Sequence, residues 1–389
     1  MPIVNRIADM HADLAAWRQD LHAHPELDFE VHRTAASVAE KLKAFGCDEV
    51  ISGIGRTGVV GVIKGQKKGS RKVIGLRADM DALPINEQTD LPYKSTVPGQ
   101  MHACGHDGHT TMLLGAARYL SETRNFAGTA IVIFQPAEEG GGGGREMVQD
   151  GLMTRFGIEE VYGMHNLPGL PVGQFGIRPG PIMASADKIR IDIEGCGTHA
   201  ARPHLGVDTI LVGAQIINQI QSIVSRNVDP LNSAVISISM FHGGEIDNVI
   251  PQTATLGGTA RALTPEVRDL LESRLRDVVE GTAKLYGATA KLTYSRNYPV
   301  TINHPKQTEL AAKVAVDVAG TERVETDYPP MMGGEDFSFM LNERPGAYIF
   351  CGNGSSAGLH HPAYNFDDEA LAIGASYWAR LVETAMPGV

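Results

Sequence analysis

The stretch KIRIDI, residues 188–193, decides the fold: Ile189, Ile191 and Ile193 alternate with Lys188, Arg190 and Asp192. An apolar period of two over so short a run reads as a strand with one face in a core and the other in water. Downstream, apolar residues recur at helical spacing over 207–224. β-rich runs follow at 234–241 and 253–262, then a helical pattern over 265–286 and a last strand at 289–294. Strand, helix, strand, strand, helix, strand is the split ferredoxin-like order, a compact α+β unit over residues 184–295.

Outward from this unit the rhythm changes. Upstream, helical spacing covers 3–21 and 34–45, with Gly46 placed to end the second helix. Short β-rich runs then appear at 58–63, 72–76, 129–134 and 161–164, with a helical stretch at 110–120 and another after the glycines of 140–144. Downstream come a helix over 308–318, a strand over 347–350 and a final helix over 367–384. Strands alternating with helices predict an α/β domain with a mixed, partly parallel sheet flanked by helices. The expected organisation is one discontinuous domain, 1–183 and 296–389, interrupted by the inserted α+β domain 184–295.

Composition limits the function. The 389 residues carry 34 Lys plus Arg against 45 Asp plus Glu, a net charge of −11, with 43% hydrophobic and 20% charged residues. Such a balance suits a globular chain of two or three domains and argues against nucleic-acid binding, which needs a basic face. No apolar run is long enough for a membrane span, and the N-terminal stretch reads as an amphipathic helix and not as a signal core. Four cysteines make no disulfide framework, so a reducing cytoplasm is the expected setting. Histidine is the unusual count: there are fourteen.

Several of these are clustered. HACGHDGH, residues 102–109, packs Cys104 and the histidines His102, His106 and His109 between a Pro-Gly turn and a helix. Thiolate and imidazole suit zinc and its divalent neighbours, and glycines let the backbone bend close to an ion. QPAEEG, residues 135–140, puts Glu138 and Glu139 just after a strand, where open α/β sheets place their sites. His165 closes another strand, His360 and His361 lie in a loop after a third, and Asp79 and Asp81 follow a fourth. Three histidine or carboxylate sites after strands of one domain point to a shared metal centre. In the insert, His199 is positioned to donate to a developing oxyanion if that domain folds over the site, and Asn248 and Arg261 are candidate anchors for a substrate carboxylate.

With these residues in hand, the chain resembles the di-metal aminoacylase and carboxypeptidase family, through ADMDALP (78–84), HACGHDGH, QPAEEG and GGEDF (333–337). Within it the motifs match the amidohydrolase branch that holds hippurate hydrolase and the indoleacetyl-amino-acid hydrolases. The resemblance implies that Cys104, His106, Glu139, His165 and His360 bind two divalent ions per subunit, Mn²⁺ or Zn²⁺, with Co²⁺ or Ni²⁺ as further options. His360 is preferred to His361 because the family's ligand precedes a variable residue and then proline. Glu138 is implied as general base and Asp81 as the group that orients the site. The insert is implied to be a lid and dimerisation domain that builds a homodimer or homotetramer, with His199 reaching the partner's active site.

The implied reaction is hydrolysis of an N-acyl amino acid, hippurate-like or N-acetylated, to a carboxylate and a free amino acid, by a hydroxide bridging the metals. The lid motif departs from the branch in having Cys196 and Thr198 where glycine is usual, which bears on acyl-pocket shape and lid movement. The rival expectations are a dipeptidase or aminopeptidase of the same family, a non-catalytic metal-binding protein on this scaffold, and a redox metalloprotein.

Overall fold

The computed structural model describes residues 4–388; Ile3, where the first expected helix begins, lies outside them. The chain divides into two compact units. One runs to Ile182 and takes in Ile302–Pro329 and the chain from Asp336 onward; the other is Met183–Thr301 with the remote segment Pro330–Glu335.

The first unit is built on an eight-stranded sheet. Its middle is four parallel neighbours: Thr129–Gln135, Val73–Asp79, Glu160–Leu167 and Gly346–Gly352. These strands are buried almost throughout, as apolar runs covered on both faces must be. Gly58–Lys64 and then Glu49–Ile54 extend one side antiparallel, and the two-residue strands Phe175–Gly176 and Val324–Glu325 finish the other. The helix His106–Thr123 lies in the core against Glu369–Ala385 and His11–Ala23. Where one N-terminal helix was expected there are two, Asn5–Ala8 and His11–Ala23, with a turn at Asp9 and Met10.

The parallel middle decides where chemistry can sit. The carboxyl ends of its four strands lead directly to Asp79 and Asp81, to Glu138 and Glu139, to His165, and to the loop bearing His360.

The second unit is a four-stranded antiparallel sheet. Its order is Ala234–Gly243, Thr253–Ala262, Ala186–Glu194, Thr289–Tyr298, with the helices Thr209–Arg226 and Pro265–Leu285 packed on it. Ile189, Ile191 and Ile193 are buried and the residues between them are not, as their alternation requires. Asp208 caps the first helix by accepting from the Ile210 and Leu211 amides, and Thr264 caps the second through the Val267 amide. This is the ferredoxin-like arrangement, with its own core of branched aliphatic side chains.

Candidate metal centre

The site begins with a turn that only glycine makes without strain. Gly105 stands in the left-handed region at φ 87°, immediately before the helix His106–Thr123. A Cβ there would collide with the Asn166 amide and the Tyr364 hydroxyl. The close approach lets Cys104 and His106 face the strand-end residues. Two non-glycine residues share this backbone region, Ala137 at φ 54° and His360 at φ 63°. Such strain persists where surrounding structure holds it, and here it lies next to the paired glutamates and at a candidate ligand.

The expected ligands come together. Cys104, His106 and His165 have donor atoms within 4.8 Å of one another, and so do Cys104, Glu139 and His360, and likewise His106, Glu138 and Glu139. His165 Nδ1 donates to the Asn166 carbonyl at 2.6 Å, leaving Nε2 3.4 Å from the Cys104 sulfur. His106 Nδ1 donates to the Asp81 carbonyl at 2.8 Å, and its buried Nε2 has no hydrogen-bond partner. Glu139 Oε1 is likewise buried without a partner, while its Oε2 lies 3.3 Å from His360 Nε2. His361 instead accepts the Ala363 amide through Nδ1 at 3.0 Å, so of the two neighbours His360 is the one that faces the cluster. Asp81 clamps the turn: its two oxygens accept the backbone amides of Glu138 and Glu139 at 2.9 and 3.0 Å.

These donors fit divalent cations. His106 and His165 each fix one ring nitrogen on a carbonyl and turn the other inward, the usual arrangement for a ligating imidazole. Burial alone would lower the His106 pKa, but Asp79, Asp81 and Glu139 outweigh it and push it up to about 10. Burial, with Glu139 and Glu138 close by, holds the Cys104 thiol well above its ordinary range. A field that concentrates protons in this way attracts any cation, and a thiolate forms there only with one to compensate it. Burial, with His109 adding to it, keeps His165 well below the ordinary histidine range, so it presents a neutral ring ready to ligate.

Not every histidine of HACGHDGH joins in. His102 is buried with neither ring nitrogen hydrogen-bonded, and its ring lies 6.4 Å from that of His22, outside every donor group. His109 is close to the cluster, but both its nitrogens are committed, to Asp79 and to the Asn166 amide. Asp79, expected at its strand end beside the metal site, is joined by Asn166 and Arg77, to which the sequence assigns no role, in a supporting network. The one available signal was the i, i+3 spacing of His106 and His109, which puts them on one helix face.

His199, Asn248 and Arg261 belong to the second unit. His199 pairs with Val249 in a two-residue ladder, and the Asn248 carbonyl accepts the Ala200 amide at 2.9 Å, so these two share one edge. His199 is exposed, and its Nδ1 accepts the Ala201 amide at 3.0 Å. Arg261 sits near the end of its strand, with Nη1 beside Gly334 of the GGEDF motif. Cys196 exchanges backbone hydrogen bonds with Val207, so the departure from glycine at this position is accommodated in a regular bridge.

A model of the peptidase family M20/M25/M40 matches residues 75–384. The chain belongs to that family. Hippurate hydrolase of Campylobacter jejuni is 44% identical over 98% of each chain, and N-acetylcysteine deacetylase of Bacillus subtilis is 40% identical over 95% of this chain and 96% of its own. Among solved structures, the Bacillus subtilis YXEP protein, described as a dinuclear metal-binding peptidase of the M20 family, superimposes with a TM-score of 0.85. It is 36% identical, over 98% of this chain and 100% of its own. The M20 fold shared with that protein spans both units, and its metal-binding character matches the donor groups found here.

Proposed function

We propose that this M20 chain is a metal-dependent amidohydrolase that splits N-acyl amino acids into a carboxylate and a free amino acid. The observation that carries the reading is the pair of orphaned buried donors, His106 Nε2 and Glu139 Oε1, beside a glutamate pair whose backbone Asp81 pins. Cys104, His106, Glu139, His165 and His360 hold two divalent cations. When bound, the cations supply Lewis acidity and lower the pKa of water towards neutrality.

Glu138 accepts the proton of the attacking water and delivers it to the departing nitrogen, so one carboxylate serves both halves of the reaction. Asp81 keeps that carboxylate in register with the donor set through the two amide bonds. His199, supplied by the inserted unit of a second subunit, stabilises the oxyanion. Its Nδ1 accepts the Ala201 amide, so the proton sits on Nε2, ready to be donated. Arg261 and Asn248 hold the substrate carboxylate, the guanidinium through its planar fork.

Pairing through the inserted unit, as a homodimer or homotetramer, is supported by its apolar surface. Leu211, Met240, Phe241 and Val249 are exposed, and the strand Ala234–Gly243 is at the sheet edge. The donor softness supports Zn²⁺, and the carboxylate share supports Mn²⁺. A reducing compartment such as the cytoplasm follows from the role given to Cys104, which must remain a thiol to ligate. Among the described residues no helix is long and apolar enough to cross a membrane.

The test is a hydrolysis panel of hippurate, N-acetyl amino acids and dipeptides after reconstitution with Mn²⁺, Zn²⁺, Co²⁺ or Ni²⁺. Acyl amino acids are the expected substrates; selective cleavage of dipeptides would make the chain a peptidase instead. Glu138→Gln is expected to keep both metals and lose roughly 10²- to 10⁴-fold in kcat. Near-normal turnover of that variant would remove Glu138 as the base.

A further inference from the structure

We propose that His109 is a positioning residue of the metal centre, a strut that holds Cys104 and His165 in place through Asn166 while Asp79 anchors its other end. The proposal rests on reading this cluster as a two-metal site.

The geometry leaves His109 no capacity to ligate. Its Nδ1 donates to Asp79 Oδ1 at 2.6 Å, and its Nε2 accepts the backbone amide of Asn166 at 2.8 Å. Both nitrogens are used in a single neutral tautomer. Its ring packs edge-on against His165 with centroids 4.5 Å apart, and lies 5.4 Å from that of His106.

What the strut supports is specific. The Asn166 side-chain amide donates to the Cys104 carbonyl at 2.6 Å, the Asn166 carbonyl accepts from His165 Nδ1 at 2.6 Å, and its side-chain oxygen accepts from Tyr364 at 2.8 Å. Asn166 therefore touches two of the five ligands, and His109 fixes its backbone. The other end is equally firm. Asp79 Oδ2 accepts from Arg77 at 2.7 Å, and Arg77 donates onward to Gln135 and Asp336 at 2.9 Å each. All of these side chains are buried.

The remaining ligands have separate supports. Asp81 holds the Glu139 amide, and the His360 amide donates to the Ala103 carbonyl at 2.8 Å. Cys104 belongs to both donor groups and His165 to only one, so loss of His109 should weaken the ion held by His165 more than the other, which a general loss of packing would not do.

The experiment titrates the full-length apoprotein with Mn²⁺ and with Co²⁺ by calorimetry, and follows the Co²⁺ form by its visible and thiolate charge-transfer absorption. In His109→Phe, which keeps the ring without its nitrogens, one of two binding events is expected to weaken about 10- to 100-fold while the other, which shares only Cys104, weakens less. The thiolate band should shift, and kcat should fall more than KM rises. His109→Gln, which can donate to Asp79 and accept from Asn166, should recover much of the loss. Should His109→Phe not fold, Asn166→Ala cuts the bond to the Cys104 carbonyl with His109 still in place, and should show the same uneven weakening of the two binding events. Two undisturbed binding events with a wild-type charge-transfer band in a folded variant would overturn the proposal. Failure of the wild-type protein to bind two ions would overturn the two-metal reading and the proposal with it.

Discussion

The two units bury and expose opposite things. The first seals a dense set of ionisable side chains in its interior, among them Arg18, His22, Arg77, Asp79, Asp81, His106 and Asp107. The second buries far fewer, chiefly Asp187 paired with Arg268, and Glu335, and fills its core with aliphatic side chains. Exposure runs the other way: every large hydrophobic that stands exposed among the described residues lies in the second unit. Buried charge is costly unless paired, and exposed apolar surface is costly unless covered. The first unit thus spends stability on an internal site, and the second leaves apolar surface in water.

The most severe way to break this contrast is to remove the charge pair the second unit buries. Asp187 accepts from Arg268 at 2.6 and 2.9 Å and from the Tyr294 hydroxyl at 2.6 Å. Asp187→Ala leaves a buried guanidinium uncompensated and should cost about 3–5 kcal/mol, read by denaturant unfolding. Metal affinity of the folded fraction should be unchanged; a parallel loss of metal would mean the two units do not separate as drawn.

The second test uses pH. Burial alone would lower the His22 pKa, but bonds to Asp107 at 2.8 Å and Glu87 at 3.4 Å outweigh it and push it up to about 9. A raised folded-state value stabilises fully below the unfolded value near 6.5, and that stability drains away as pH climbs towards 9. The loss is about 3 kcal/mol. Unfolding free energy measured between pH 6 and 9.5 should fall across that window, and His22→Gln should make the fall shallower, with His106, pushed up to about 10, carrying what remains in the metal-free protein. An equal slope in the variant would assign the effect elsewhere.

The mildest test addresses the exposed face. Leu211→Glu with Met240→Lys should abolish self-association in sedimentation velocity, yet change monomer stability by no more than about 0.5 kcal/mol. An unchanged oligomer would free that surface from the role given to it.

The same contrast explains what was legible. The insert reads cleanly because its core is apolar and periodic; residues 253–262 were expected as a strand and are one. Glu49–Ile54 was missed because this strand has mostly half-buried or exposed residues and no clean alternation. Phe175–Gly176 and Val324–Glu325 are too short for any period to show. The motifs of the site were legible because ligand chemistry restricts residue type locally. Which histidine of HACGHDGH faces inward was not: His102, His106 and His109 look alike in sequence, and the partners that separate them come from residues 22, 81, 79 and 166. Long-range pairing of that kind leaves no periodic trace.

The turn at Gly105 bears on how such chains are recognised at all. A methyl group there would occupy the space where the Asn166 amide meets the Tyr364 hydroxyl, and one at Gly108 would enter the Phe366 ring. Neither glycine contributes an atom to chemistry. Both are letters of HACGHDGH because their neighbours have taken the room, so part of what that string records is vacancy. A designer grafting the cluster elsewhere would have to transplant the emptiness along with the ligands.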